Sequence, residues 1–477
     1  MLSEALRPYR YLWPWFELPT SPYWQAVDGK CAYIRPMPES VEALTADSRW
    51  PAFFPSPICY VTTADGTYVA LEKVVGASIV NRFPYIIALS FCTQGLSERH
   101  HVRGVFTDML ARGGAVAVQF LPPGPALDSA MQAITTIPEA QTTARIASTG
   151  LSTRKALTNA APVFDAAYMV YEASLVKPGR DFQGQPIYAM PWLDAGSHRI
   201  YFLEINAIQL RQDIAQGRSH IRWRSLPVWE PQFALQEVVS ANGSAMMSGR
   251  YQKGYTPHYA FPSSGTIAFE ADAVENGMAV KYLPPLPEDQ VEVDNDRARW
   301  PCFFPSSAGM ITTWATDGTP NLMPCGSTTL VSRHPLMIAP CVSYAAINER
   351  YAPRATLDII RQTGKFGCGV PFIHDVVIDA MKYAGNTSLT LDKQKVAHAG
   401  LEVQYAEWAP ILPALPIHFD CQVVHEVRLG THVMFLGEVR RIQVRADVTP
   451  RNPLEWCPWA DVVPVHSSSA ARELNYE

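Results

Sequence analysis

Apolar residues along this chain are grouped in runs of strand length that turn residues separate. The run "HVMFLGEVRRIQV" follows a Gly-Thr turn, "PLMIAPCVSY" is a second apolar run, and "MITTWATDGTPNLM" is divided by an Asp-Gly pair. Such runs indicate β-strands, and Asp-Gly is typical of a hairpin turn. The segment "PRATLDIIRQTG" has the helical period instead, with Pro353 near its start and Gly364 at its end. The pattern predicts a small, mainly β barrel with few helices.

The same pattern occurs twice along the chain. The sequence reads "RWPAFFPSPICYVTT" from Arg49 and "RWPCFFPSSAGMITT" from Arg299. Further matches follow in the same order, and they end in the closing segments that begin at Gly196 and Gly430. Ordered matches with small gaps indicate a tandem duplication of one fold.

The duplication divides the chain into five predicted parts. They are an aromatic N-terminal arm (1–21), a first copy (22–210), a linker (211–268), a second copy (269–445) and a C-terminal tail (446–477). The linker is predicted from its Gly, Ser and Tyr content. The tryptophan-rich arm and tail are expected to pack across the two copies, since exposed aromatic clusters favour aggregation.

Composition narrows the class of protein further. Of the 477 residues 48% are hydrophobic and 17% charged, which is typical of a buried globular chain. A net charge of −5 without a long basic run argues against nucleic acid as a partner. No apolar stretch reaches the roughly 18 residues of a membrane span. Nine cysteines without a CxxC pair predict a cytoplasmic protein with reduced thiols.

The start of the predicted helix is a candidate anion site. Arg350 precedes the helix, Arg354 lies in its first turn, and Thr356 adds a hydroxyl close to the exposed backbone N–H groups. These donors together suit a phosphate. The alternative is two solvated arginines that pair with Glu349 or Asp358.

A hydroxyl-rich segment between two strands is the second candidate. Gly326, Ser327, Thr328 and Thr329 place small hydroxyls beside a glycine, which suits a backbone that approaches a flat polar ring. The alternative is an ordinary strand edge, since threonine is common in strands.

The first copy keeps the two arginines, as Arg99 and Arg103 in place of Arg350 and Arg354, but lacks most of the other groups. At the helix start it has Gly104 and Val105 where the second copy has Ala355 and Thr356. In the hydroxyl-rich segment, Glu72, Lys73 and Val75 are aligned with Pro324, Cys325 and Ser327.

His432, at the head of the closing strand, is the candidate catalytic residue. Strand alternation places His432, Met434, Leu436 and Glu438 on one face. The alternative is a structural histidine, because His198 recurs at the same turn of the first copy. No metal site is expected.

The second copy resembles a known family in several ordered motifs. They are "TTWATDGTPNLMPCGSTTLVSRHPLMIAPCVS", "RATLDIIRQTGKFGCGVP", "LDKQKVAHAGLE" and "LGTHVMFLGEV". Together they resemble the flavin reductase family with the FMN-binding split β-barrel, over residues 300–445 and more weakly in the first copy. The resemblance implies two tandem split β-barrels that form an intramolecular pseudo-dimer, with non-covalently bound FMN.

The resemblance also implies a role for each candidate residue. Ser327, Thr328 and Thr329 would contact the isoalloxazine edge, and Arg354 and Thr356 would hold the phosphate.

The remaining candidates complete the implied site. His432 would lie on the flavin face where a nicotinamide or substrate stacks. Asp392 and Lys393 match a family Asp-Lys pair near that pocket, and Gly326 and Arg350 belong to the predicted cofactor-binding set.

The implied function is that of an FMN-dependent oxidoreductase. It would be an NAD(P)H-dependent flavin reductase, serving a partner flavin-dependent monooxygenase, or a flavoenzyme that transfers hydride to a small organic substrate. One departure is Thr431, where the family often has aspartate in a Gly-Asp-His motif. The alternative function is non-catalytic flavin or haem binding. The first copy would serve as scaffold and pocket wall, and the pseudo-dimer could dimerise further.

Overall fold

The computed structural model covers most of both copies. It describes residues 24–27, 31–34, 59–74, 76–81, 84–93, 104–121, 125–167, 169–181, 183–211, 215–216, 220–221, 236–239, 245–248, 271–275, 278–283, 307–333, 335–344, 354–370, 375–415 and 417–445. Within these ranges no helix is long and apolar enough to cross a membrane. The same ranges hold no group of three His, Cys, Asp or Glu side chains placed to bind a metal. Arg350 lies outside the described residues.

The described strands are β1 to β26 in chain order. The first fourteen are β1 (Trp24–Val27), β2 (Cys31–Ile34), β3 (Cys59–Ala64), β4 (Val69–Val74), β5 (Gly76–Asn81), β6 (Ile86–Cys92), β7 (Ala115–Phe120), β8 (Thr153–Lys155), β9 (Pro162–Phe164), β10 (Met169–Leu175), β11 (Gly179–Arg180), β12 (Pro186–Ile187), β13 (Trp192–Ala195) and β14 (His198–Arg211). The next six are β15 (Ala215–Gln216), β16 (His220–Ile221), β17 (Gln236–Val239), β18 (Ala245–Ser248), β19 (Ala271–Glu275) and β20 (Met278–Leu283). The last six are β21 (Ser307–Trp314), β22 (Pro320–Arg333), β23 (Leu336–Ser343), β24 (Lys365–Gly369), β25 (Ile417–Arg428) and β26 (His432–Arg445).

Six antiparallel strands of the second copy form a closed barrel. Their order is β22, β21, β24, β25, β26 and β23. The ring closes because β22 pairs with β21 along its first part and with β23 along its last part. A single long strand, β22, therefore pairs with both of its neighbours in the ring, β21 and β23.

The first copy repeats this order of pairing. Its strands run β4, β3, β7, β10, β14, β6 and β5. Because β4 and β5 are consecutive pieces of chain on either side of Val75, they correspond to the two parts of β22. The predicted mainly β, split-barrel fold is confirmed.

Strand registers correct the alignment of the hydroxyl-rich segment. Thr62 pairs with Leu71 in the first copy, and the matching Thr312 pairs with Leu322 in the second. Counting from these pairs, Glu72 occupies the position of Met323. It follows that the residues in place of Ser327, Thr328 and Thr329 are Gly76, Ala77 and Ser78.

Each copy has three described helices, where the sequence pattern predicted only one with clear ends. They are α1 (Gly104–Gly113), α2 (Pro125–Thr136), α3 (Thr142–Ser148), α4 (Ala355–Thr363), α5 (Asp375–Asn386) and α6 (Lys395–His398). In α5 the buried positions are Val377, Ala380, Met381 and Ala384. This i, i+3, i+4, i+7 spacing is the ordinary signature of an amphipathic helix.

Helix α4 matches the predicted helix with one change at its start. Gly364 ends it in the left-handed conformation (φ 65°), as expected for a glycine C-cap. Arg354 is the N-cap, with extended backbone, and does not lie in the first turn as predicted.

The two copies exchange their upstream hairpins. The hairpin β1–β2 pairs with β26, the closing strand of the second copy. The hairpin β19–β20 pairs in turn with β14, the closing strand of the first copy. Each barrel sheet is therefore extended by strands that precede the other barrel in sequence.

The copies also pack directly against each other. One buried cluster contains residues of both, including Ile86, Phe202, Val331 and Met434. The Ser90 hydroxyl donates a hydrogen bond of 2.7 Å to the Val331 carbonyl across this contact.

An ion pair lies at the edge of the same contact. Arg428 donates from Nη2 to the buried carboxylate of Asp181 at 2.6 Å, and the Tyr344 hydroxyl donates to the same oxygen at 2.7 Å. Short strands β15 to β18 lie within the predicted linker, and the predicted domain boundaries stay a prediction.

Candidate functional site

The hydroxyl-rich segment lies within β22, and its side chains alternate between two faces. The Thr328 hydroxyl donates to the Cys325 carbonyl at 2.9 Å. A Cβ built at Gly309 would lie 3.0 Å from Thr328, so the absent side chain makes room for this threonine inside the barrel. Ser327 and Thr329 lie on the opposite face. Val331 continues that face and belongs to the cluster shared with the first copy.

His432 lies on the corresponding face of the closing strand. Met434 and Leu436, which alternate with it along β26, belong to the same shared cluster. The predicted common face is therefore present. Both the hydroxyl-rich segment and His432 border the contact between the two copies.

Arg354 is held beside the closing strand by its backbone. Its N–H donates to the Ser343 carbonyl at 3.3 Å, and Ser343 is the residue of β23 that pairs with His432. The guanidinium donates from Nη1 to the Gly385 carbonyl at 3.1 Å, at the C-terminal end of α5. Arg354 is thus fixed at both ends, by its backbone to β23 and by its guanidinium to the end of α5.

Thr356 faces inward. Its side chain is buried and accepts a hydrogen bond of 2.9 Å from Nδ2 of Asn321. The same amide nitrogen donates to Thr313 at 3.1 Å. The hydroxyl therefore braces α4 against the barrel, and only the backbone of Thr356 belongs to the helix start.

Asp392 and Lys393 make separate contacts. Asp392 accepts hydrogen bonds of 2.9 Å from the Tyr383 hydroxyl and from Nδ1 of His398. Burial opposes ionisation, but these two bonds hold the pKa of Asp392 below its ordinary value. Lys393 is exposed and lies 3.4 Å from Asp317, at the turn between β21 and β22.

Lys395, which the sequence motifs did not identify, is the cation that joins Arg354. It begins α6 and its side chain is only 4% exposed. Burial and the nearby charge of Arg354 lower its pKa to about 7, while Asp392 acts in the opposite direction. Among the described residues none accepts a hydrogen bond from its ammonium group. A buried lysine beside a half-buried arginine makes a receptor for an anion.

Arg354 also reaches the hydroxyl-rich segment. Burial raises the pKa of the Cys325 thiol, and the charge of Arg354 is close enough to oppose that shift. Cys325 immediately precedes Gly326. The structure therefore places Arg354 close to Lys395 and to Cys325, and Asp392 close to Lys395. His432 pairs with Ser343, whose carbonyl accepts from the Arg354 backbone. Lys393 is exposed and pairs with Asp317.

The first copy fills the corresponding place with its own ion pair. Arg145 precedes the left-handed Gly150 by the same number of residues as Lys395 precedes the left-handed Gly400. Arg145 donates to Glu72 at 2.7 Å, and both side chains are buried. In the second copy Met323 takes the position of Glu72. Among the described residues, Lys395 therefore has no carboxylate in direct contact.

Comparison with protein families gives one match. Residues 302–459 match the family described as "Flavin reductase like domain". No curated protein matches the sequence.

Three solved structures illustrate the structural similarity. Flavoredoxin of Desulfovibrio vulgaris (Miyazaki F) is 23% identical, with 30% of this chain and 71% of that chain covered and a TM-score of 0.26. Flavoredoxin from Methanosarcina acetivorans is 22% identical, with 29% and 67% covered and a TM-score of 0.25. The NADH:FAD oxidoreductase SgcE6 of Streptomyces globisporus is 14% identical, with 33% and 76% covered and a TM-score of 0.25.

Proposed function

We propose that this chain, which carries a flavin reductase like domain at residues 302–459, is an FMN-dependent oxidoreductase whose second copy holds the flavin. The observation that carries the proposal is the pair of Arg354 and Lys395 beside the hydroxyl-rich segment. A buried lysine with a pKa lowered to about 7 by burial and by a neighbouring arginine is stabilised by an anion.

The residues present fit FMN. Lys395 and Arg354 would hold the phosphate, with backbone N–H groups at the start of α4 as further donors. Ser327 and Thr329, with Gly326 beside them, would bind the edge of the ring. Arg350 stays a predicted contributor from outside the described residues.

Other residues support this set. The Thr356 hydroxyl positions α4 through Asn321. Thr328 stabilises the strand from within the barrel. Asp392 would balance the charge of Lys395, to which it lies close.

Bound FMN would supply two-electron redox chemistry, with hydride from NAD(P)H as the source of electrons. His432 borders the same face of the barrel and would orient a nicotinamide or an organic substrate and move a proton. The contact with the first copy limits access of water to that face. The products would then be either reduced flavin for a flavin-dependent monooxygenase or a reduced organic substrate.

We propose a single flavin per chain, with the first copy as a wall of the pocket in an intramolecular pseudo-dimer. The Arg145–Glu72 pair supports this, because the first-copy cation is already neutralised. Gly76 and Ala77 also replace two of the three hydroxyl residues. The cytoplasmic location stays a prediction.

Flavin content and reduction test the proposal together. Flavin released by heat from purified protein should amount to one equivalent per chain. Anaerobic mixing with NADH or NADPH should then bleach the flavin absorbance. Flavin that binds but does not bleach with either reductant, or with added organic substrates, would point to non-catalytic binding. Protein that takes up no FMN would rule out the proposed cofactor.

A further inference from the structure

A chain of hydrogen bonds runs from the first copy to His432. Nδ2 of Asn81 donates to the Pro84 carbonyl at 2.8 Å, within the first copy. Oδ1 of Asn81 accepts from the backbone N–H of Thr431 at 2.8 Å and from the Thr431 hydroxyl at 2.7 Å. The Thr431 hydroxyl oxygen lies 2.7 Å from Nδ1 of His432. All these side chains are buried.

The orientation of the Asn81 amide is fixed by its partners. A flipped amide would place an NH₂ group against the Thr431 N–H and an oxygen against the Pro84 carbonyl. Both contacts would then be repulsive at 2.8 Å. The amide oxygen must therefore face Thr431.

This orientation determines the direction of the remaining bonds. A threonine hydroxyl has a single hydrogen, and it is donated to Oδ1 of Asn81 because that oxygen can only accept. The hydroxyl oxygen is then left as an acceptor for His432. A bond of 2.7 Å to Nδ1 requires that Nδ1 carries the proton.

We propose that Asn81 of the first copy is a positioning residue for the site of the second copy. Through Thr431 it holds neutral His432 in the Nδ1–H tautomer, so that Nε2 presents a lone pair. In this state Nε2 accepts a hydrogen bond or a proton and does not donate one. A ligand group that bonds to Nε2 would therefore be a donor, such as an amide NH₂ or a hydroxyl.

We call the chain of hydrogen bonds from Asn81 through Thr431 to His432 the relay. The residue that matches Asn81 in the other copy shows that the relay is not a by-product of the repeat. Asn81 is the residue of β5 that pairs with Ile86, and Ser332 holds the matching position opposite Met337. A serine hydroxyl both donates and accepts, so it imposes no direction of the kind that an amide oxygen imposes. The amide at this position therefore belongs to the second-copy histidine and has no counterpart in Ser332.

The tautomer can be measured without reference to any cofactor. The full chain labelled with ¹⁵N-histidine would be examined by long-range ¹H–¹⁵N correlation at about pH 8, above the ordinary histidine pKa. The His432 signals would be assigned from their loss in His432→Gln. Wild type should show a protonated, pyrrole-type Nδ1 and a pyridine-type Nε2.

Three variants test the relay. Asn81→Ala frees the Thr431 hydroxyl to donate, so His432 should move towards the Nε2–H tautomer. Thr431→Val should remove the tautomer preference. Ser90→Ala removes a different bond between the copies and should leave the tautomer unchanged. An unchanged tautomer in both Asn81→Ala and Thr431→Val would overturn the proposal.

The effect on turnover rests on the proposed function and is measured separately. Flavin reduction should fall on the order of 10-fold in Asn81→Ala, with FMN content unchanged, and should be retained in Ser90→Ala. A tautomer change without loss of turnover would leave the relay in place and contradict the role assigned to His432. Loss of turnover in Asn81→Ala with the wild-type tautomer preserved would contradict the relay itself.

Discussion

Arg145 donates a hydrogen bond of 2.7 Å to Glu72 in the core of the first copy, at the position where the second copy has Lys395. Arg145 also donates to the carbonyl of Ile137 at 2.9 Å. In the first copy the buried cation is a structural element. In the second copy Met323 stands where Glu72 would be, and the cation is available to an external anion.

This difference predicts that one substitution can block the proposed phosphate site of the second copy. Met323→Glu should form an internal pair with Lys395 that competes with phosphate, and FMN affinity should fall by roughly 1.5–3 kcal/mol, the contribution of a charge-assisted hydrogen bond. Isothermal titration with FMN would measure it. Met323→Gln is the matched control, since it has nearly the same shape without the charge. Equal losses in both variants would indicate a packing effect.

The pKa of Lys395 predicts that FMN binding takes up protons. Its folded-state pKa of about 7 lies below the ordinary 10.5, so at pH 8 the unliganded lysine is mostly neutral. A phosphate raises that pKa again, because an opposite charge favours the ammonium form. Affinity for FMN should therefore fall as pH rises above about 7. Titrations at pH 8 in buffers of different ionisation enthalpy would detect the proton uptake, and Lys395→Met should abolish it.

The same shift affects stability without ligand. Between pH 7 and the ordinary lysine pKa the unfolded chain binds more protons than the folded one, so the Lys395 contribution to stability rises with pH. Lys395→Met should lose this rise. If the variant keeps the wild-type dependence, Lys395 is not the titrating group.

Arg354 should be more important for FMN than its first-copy counterpart. Arg354→Ala removes a phosphate contact and should weaken FMN by roughly 1.5–3 kcal/mol. Arg103→Ala, at the matching position, should have a much smaller effect on FMN retained after gel filtration. Because Arg354 also bonds the Gly385 carbonyl, thermal unfolding of the apo variants must be compared. Equal losses of FMN at both positions would mean that both copies bind flavin.

Local sequence patterns were sufficient for the barrel but not for its connections. Alternating apolar positions and the glycine at 364 predicted strands and one helix end, because these depend on neighbouring residues. The exchange of the hairpins β1–β2 and β19–β20 depends on pairing between distant segments. No local pattern distinguishes pairing with the nearer barrel from pairing with the farther one.

The candidate site could be predicted only in part for a similar reason. The family motif indicated Lys393, which is exposed, whereas the buried lysine is Lys395, two positions later. Which of the two is buried depends on the packing of α6, and a local motif does not predict that packing. A signal did exist in the repeat, where Arg145 aligns with Lys395 as a second cation. The role of Asn81 had no such signal, since it depends on contact between the two copies.

Two buried groups of β25, Asp420 and His418, oppose each other in their effect on stability. Burial raises the pKa of Asp420 to about 6, although Arg441 and Gln443 donate to it at 2.6 and 2.7 Å. Between its ordinary 3.8 and 6 the folded state binds more protons than the unfolded one, so this contribution to stability falls as pH rises. Burial lowers the pKa of His418 from 6.5 to about 4, so the unfolded state binds more protons there and this contribution rises with pH. In the shared window from pH 4 to 6 the two contributions oppose each other.

Single substitutions should reveal each contribution. Relative to wild type, the unfolding free energy of Asp420→Asn should gain a positive slope between pH 4 and 6, and that of His418→Gln a negative slope, each up to about 1.4 kcal/mol per pH unit. Urea unfolding of the full chain at several pH values would measure the slopes, and all other titrating groups cancel in the difference from wild type. The double variant should return to the wild-type slope. Two single variants with slopes of the same sign would show that the environments of Asp420 and His418 are not those described, because burial shifts the pKa of an acid and of a base in opposite directions.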